Sequence, residues 1–213
     1  MAILQELRDN FVNFLFPKKN SVLELESLSK SALLETLPHA DVLKDANTYA
    51  LFDYKHPLVK EVVWQVKYSG NARLAEKLGE ILFETISREC RETSPTLLIP
   101  IPISDKRRFE RGWNQSELLC EKIKLFDKEN IFNYLPRELA KVVHTESQTK
   151  TSSKSERIKN LNNSMKVLST GIVRDRNVVL IDDVITTGST FHEAKRALRE
   201  AGAKKIICVA IAH

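Results

Sequence analysis

Apolar residues fall into helical stripes over the first half of this chain and into short continuous runs further on. Over residues 2–16 the positions Ile3, Leu4, Leu7, Phe11, Val12, Phe14 and Leu15 recur on a helical period, and Pro17 stops the stripe. Shorter stripes predict helices around Val22–Leu28 and Lys30–Leu37. Leu58, Val62, Val63 and Val66 predict a helix from Pro57 to Tyr68, with Pro57 suited to its first turn. Gly70 and Asn71 interrupt it. Leu74, Leu78, Ile81, Leu82 and Ile86 then mark a further helix over about Ala72–Cys90. The run Thr96–Ile103, TLLIPIPI, reads as a buried strand whose prolines put it at a sheet edge or a strand end. A polar loop leads into a helix over roughly Ser116–Leu125. From His144 to Asn160 the only large apolar residue is Ile158, so this stretch reads as a long mobile loop running into a helix.

The C-terminal third is the most regular. Val178, Val179, Leu180 and Ile181 form a continuous aliphatic run, which suits a strand buried on both faces of a parallel sheet. An amphipathic helix follows over Phe191–Ala201, with Gly202 at its end, and then a last strand, Lys205–Ala212. A strand–helix–strand unit of this length predicts parallel pairing with a right-handed crossover.

Chemistry collects where the Val178 strand ends. Asp182 and Asp183 occupy the strand terminus at which open α/β sheets bind ligands. Thr186, Thr187, Gly188, Ser189 and Thr190 then bring hydroxyls and backbone amides to a helix N-terminus, where the helix dipole favours anions. Carboxylates for sugar hydroxyls beside a phosphate cradle describe a site for a phosphorylated sugar. A second group of residues can complete it. After Pro100, Ile101, Pro102, Ile103 and Ser104, the cations Lys106, Arg107, Arg108 and Arg111 crowd into six residues, a density suited to a polyanion.

Composition narrows the setting. The chain has 213 residues, 42% apolar and 29% charged, as in ordinary globular domains. No window approaches the roughly 18 consecutive apolar residues of a membrane span, and the N-terminus makes a poor signal peptide, so a cytoplasmic location is expected. The net charge of +5 is spread along the chain without a long basic run. Cys90, Cys120 and Cys208 are too few and too widely spaced for a disulfide framework or a cysteine-rich zinc site. His39, His56, His144, His192 and His213 show no metal-binding spacing.

The order aliphatic strand, Asp182-Asp183, Thr186-Thr187-Gly188-Ser189-Thr190 resembles the phosphoribosyl pyrophosphate (PRPP) motif of type I phosphoribosyltransferases. Pro100-Ile101-Pro102-Ile103-Ser104 resembles their pyrophosphate loop. The wider set is similar to the ComF family, phosphoribosyltransferase-like proteins associated with DNA uptake and utilisation. It comprises Leu15-Phe16-Pro17, Val66-Lys67-Tyr68-Ser69-Gly70, Pro100-Ile101-Pro102, Arg107 to Gln115, Thr149 to Asn160 and the PRPP motif. The likeness is good over about residues 50–213. It implies a Rossmann-like type I phosphoribosyltransferase fold, α/β, with a mostly parallel central sheet flanked by helices. A small helical segment over residues 1–48 would precede the phosphoribosyltransferase-like domain, 49–213. Relatives usually carry an N-terminal zinc module with CxxC pairs. Here the first pair would fall on Asn20 and Leu23, so no zinc is expected.

The resemblance further implies Mg²⁺-dependent transfer of phosphoribosyl from PRPP to a nitrogen acceptor, a nucleobase or an amine. Asp182 and Asp183 would hold the ribose hydroxyls and help place Mg²⁺, mainly through ligand or water. Thr186, Thr187, Gly188, Ser189 and Thr190 would bind the 5′-phosphate. Pro102, Ile103, Ser104, Lys106, Arg107, Arg108 and Arg111 would serve the pyrophosphate, and the His144–Asn160 loop would close over the site. A partner in DNA uptake and a homodimer are candidate associations. Two rival readings are a non-catalytic sensor of PRPP or nucleotide and a DNA-uptake adaptor.

Overall fold

Aliphatic runs pair into one parallel sheet in the computed structural model, which describes residues 20–43, 45, 47–90, 95–142 and 164–213. The expected 2–16 helix, the Leu15-Phe16-Pro17 string and the His144–Asn160 loop lie outside the described residues. The strands are β1 (Thr48–Phe52), β2 (Thr96–Pro100), β3 (Phe132–Tyr134), β4 (Leu139–Lys141), β5 (Met165–Val167), β6 (Asn177–Val184) and β7 (Lys205–Ala212). Five of them form the sheet in the order β1-β7-β6-β2-β3, all neighbours parallel, while β4 and β5 pair antiparallel beside it. The Val178 run is the central strand, with Leu180 opposite Ile99 on one side and Cys208 on the other.

The helices are α1 (Asn20–Ser27), α2 (Lys30–Thr36), α3 (Pro57–Trp64), α4 (Ala72–Ser87), α5 (Asp105–Arg111), α6 (Gln115–Phe126), α7 (Thr170–Val173) and α8 (Ser189–Glu200). Alternation along β6 sorts them into two layers. Val179 and Ile181 pack into the core formed with α2, α3, α4 and α6. Val178 and Leu180 pack into the core formed with α8 and the β4–β5 pair. Both faces are covered, which is why β6 reads as an unbroken aliphatic run. All three cysteines are buried and none forms a disulfide. No helix among the described residues is long and apolar enough to cross a membrane.

Of the two placements that the prolines allow for β2, a sheet edge or a strand end, the structure has the strand end, with β2 lying between β3 and β6. Pro100 can occupy it because it is the last residue, and the Ile101 amide resumes the ladder by donating to Ile181 O at 2.9 Å. The expected polar loop after β2 is itself helical. The Ser104 hydroxyl accepts from the Arg107 amide, Asp105 sits favourably in the first turn of α5, and Gly112 ends the helix at φ 82°. The predicted helix over Pro57–Tyr68 is α-helical only to Trp64; Gln65–Ser69 is a π-helical turn closed by Gly70 at φ 57°.

Candidate functional site

Asp182 and Asp183 occupy the C-terminal end of β6, and strand alternation sends their side chains to opposite faces. Neither is open to solvent: their exposures are 7% and 4%. Two flanking elements cover them. Ser116 in the first turn of α6 donates its hydroxyl to Asp182 Oδ1 at 3.1 Å, and the Asp183 amide donates to the same oxygen at 2.9 Å. Lys67, in the π-helical turn, places Nζ 2.8 Å from Asp183 Oδ2.

Burial, and then the neighbouring Asp183 charge, push the Asp182 carboxyl up to about 7. The folded state therefore binds this proton more tightly than the unfolded chain does. Stability from this group is full below the ordinary carboxylate range and falls as pH rises toward 7. Asp182→Asn keeps an oxygen for Ser116 and the Asp183 amide but removes the titration. It is expected to match the native chain near pH 4 and to exceed it at pH 8 by roughly 1 kcal/mol or more, about one pKa unit's worth. Urea melts at the two pH values check this; a gain independent of pH would reject it.

The Thr186–Thr190 turn leads from the end of β6 into α8. After Ile185 the chain turns through Thr186 and Thr187, both exposed, and Gly188 takes φ 74°. Gly188 is the N-cap of α8 and offers no side chain of its own, while the Thr187 hydroxyl accepts from the Ser189 amide at 3.4 Å. The Thr187 hydroxyl lies 3.0 Å from Ser189 Oγ, and Ser189 and Thr190 are exposed. A cavity of about 1100 Å³ opens beside this turn, walled by Ile185–Ser189, His192, His39, Asp41 and Leu43 among others.

The cationic side is only partly available. Arg108 pairs with Glu117, and Arg111 donates to Gln115 Oε1 at 3.1 Å with its guanidinium 4.8 Å over the Tyr68 ring. Lys106 is exposed, 3.9 Å from Glu110. Among the described residues, Arg107 has no carboxylate partner. Pro102, Ile103 and Ser104 link β2 to α5, half-buried at the sheet edge. The two halves adjoin: Ile101 donates to Ile181, Asn114 Nδ2 donates to Ile101 O at 3.0 Å, and Ser116 reaches Asp182.

Sequence reasoning gave no role to Lys67, Ser116, Glu117 or Lys141. Lys141, at the end of β4, has its ammonium disfavoured first by burial and then by Arg107, while Asp182 favours it. Three elements therefore converge electrostatically on the end of β6. Lys67 was visible only as part of the Val66–Gly70 string. Trp113 packs on that string: its indole donates to Val66 O at 3.3 Å, and a Cβ on Gly70 would stand 3.3 Å from the ring.

The profile of the phosphoribosyl transferase domain matches residues 129–213. Competence protein F of Haemophilus influenzae is 32% identical over 151 residues, 68% of this chain and 63% of that protein. DNA utilization protein YhgH of Escherichia coli O157:H7 is 30% identical, covering 72% of this chain and 66% of its own length. The chain belongs with the ComF proteins, phosphoribosyltransferase-like in fold. Competence protein ComFC of Bacillus subtilis is 30% identical over 68% of this chain and 55% of its own. The chain thus spans under two thirds of the length of these curated relatives. Among solved structures, the allosteric regulatory enzyme of purine biosynthesis aligns over 69% of this chain and 30% of its own, at 17% identity and a TM-score of 0.43.

Proposed function

We propose that this ComF relative binds PRPP with Mg²⁺ and transfers its phosphoribosyl group to a nitrogen acceptor. One observation carries the reading: tandem carboxylates at the end of the central strand are followed by an exposed hydroxyl-rich turn that enters a helix N-terminus through a glycine N-cap. In this reading Asp182 and Asp183 accept hydrogen bonds from the ribose hydroxyls. The Thr186–Thr190 turn holds the 5′-phosphate with amides and hydroxyls. Arg107, with Lys106, Arg108 and Arg111 beside it, faces the leaving pyrophosphate. The donor set fits Mg²⁺, since both carboxylates offer hard oxygens and Asp183 Oδ2 is buried without a hydrogen bond. Bound with PRPP, Mg²⁺ would neutralise charge on the pyrophosphate as it departs.

Calorimetry with PRPP, with and without Mg²⁺, tests the binding. A screen of nucleobases and amines for pyrophosphate release tests the transfer. Binding without release for any acceptor would favour a sensor over an enzyme; no PRPP binding at all would reject the reading. Arg107→Ala combined with Arg108→Ala is expected to weaken PRPP about fivefold or more while leaving ribose 5-phosphate within twofold. Equal losses for the two ligands would remove the pyrophosphate assignment.

A second reading, direct contact with DNA, has its own observation. Trp64 and Tyr68 are half exposed with ring centroids 5.7 Å apart, Arg111 lies over Tyr68, and Phe109 is 92% exposed on the basic helix α5. Aromatic faces interleaved with cations suit unpaired bases, and the relatives are named for competence and DNA utilization. Fluorescence anisotropy with a labelled single strand should then show binding that weakens steeply with salt and that PRPP does not displace.

A further inference from the structure

The backbone that delivers Lys67 is firmly held. The Asn71 amide donates to Gln65 O at 3.1 Å, Trp113 takes Val66 O, and Asn71 Nδ2 donates to Gln65 Oε1 at 3.3 Å and Glu26 Oε1 at 2.5 Å. π-helical turns recur at functional sites, where the extra residue redirects a side chain. The side chain itself is held loosely. Among the described residues, Asp183 is the only carboxylate within ion-pair reach of Lys67 Nζ. At 2.8 Å that contact is one of charge without hydrogen-bond alignment, and 21% of the Lys67 side chain remains exposed.

A buried carboxylate left without a countercharge costs several kcal/mol, so Asp183 stays charged only with a cation beside it. We propose that Lys67 is a stand-in cation, neutralising Asp183 until a ligand arrives with its divalent ion and then swinging aside. The proposal rests on the reading of Asp183 as a site carboxylate given above. Lysine suits the task because its charge is compact and rides on a flexible stem, whereas an arginine fork would grip the carboxylate. The path out is the exposed fraction of its own side chain. A divalent ion arriving alone must compete with a tethered ammonium, so the unliganded protein binds such ions weakly and the metal enters together with its ligand.

Mn²⁺ alone is the probe, followed by electron paramagnetic resonance of the free ion. Lys67→Met is expected to bind Mn²⁺ at least tenfold more tightly than the native chain, with no sugar phosphate present. Unchanged affinity in a folded variant overturns the proposal. Should the methionine variant not fold, the native chain decides. Amine-reactive labelling of Lys67, read by mass spectrometry, should rise at least threefold in saturating Mn²⁺; level or falling labelling overturns it. Neither arm uses PRPP, so a native chain that ignores PRPP would reject the proposed function without deciding this question.

Discussion

Asp183→Asn is expected to weaken Mg²⁺-dependent PRPP binding by tenfold or more. Hydrogen bonds to a charged acceptor contribute about 1.5–3 kcal/mol each, and tenfold in affinity corresponds to about 1.4 kcal/mol. Losing the charge at Asp183 weakens its pairing with ribose hydroxyls and with any cation brought by the ligand. Asparagine preserves the shape, and the Lys67 ammonium it leaves unpaired can turn to water through its exposed flank. The fold should therefore survive and the loss should be one of binding. Calorimetry with PRPP and Mg²⁺, alongside a thermal melt, checks both halves. Equal affinity in the variant would remove the ribose-clamp role from Asp183.

The largest expected effect on stability is at Gly79, far from any ligand. It lies where α4 crosses α6, and a Cβ there would stand 2.4 Å from Lys122 Cβ and 2.8 Å from the Lys122 carbonyl carbon. The second contact is backbone, so no rotamer change relieves it. Overpacking of this kind costs typically about 1–3 kcal/mol and occasionally more, while alanine would gain about 1 kcal/mol in helix propensity over glycine. A 2.4 Å approach puts this clash at or above the top of that range, so it outweighs the propensity and Gly79→Ala is expected to lose about 2 kcal/mol in urea unfolding. An unchanged or raised midpoint would show that the two helices separate without cost. Because Ser116 opens α6, a shifted helix would also loosen the Ser116–Asp182 hydrogen bond.

What the sequence shows depends on whether a pattern is local. The β6–α8–β7 unit is legible almost to the residue because an eight-residue strand buried on both faces leaves a continuous aliphatic signature. β3, β4 and β5 have three residues each and carry no period, and Thr48–Phe52 alternates too briefly to stand out. At the site, Asp182 and Asp183 follow from their place at the end of a strand, and the Thr186–Thr190 turn from its place just beyond it. Lys67 does not, because its position depends on a π-helical turn that no residue pattern announces. The pairing of Arg108 with Glu117 spans two helices, α5 and α6, so a count of cations overstates how many are available.

Residues 64–70 and 107–116 are distant in the chain, yet the indole of Trp113 lies on the bare face of Gly70. A graft from a homologous protein that replaces either stretch alone would set a new surface against an old one. Hybrid genes should keep their function when both stretches come from the same parent and lose it when the parents are mixed.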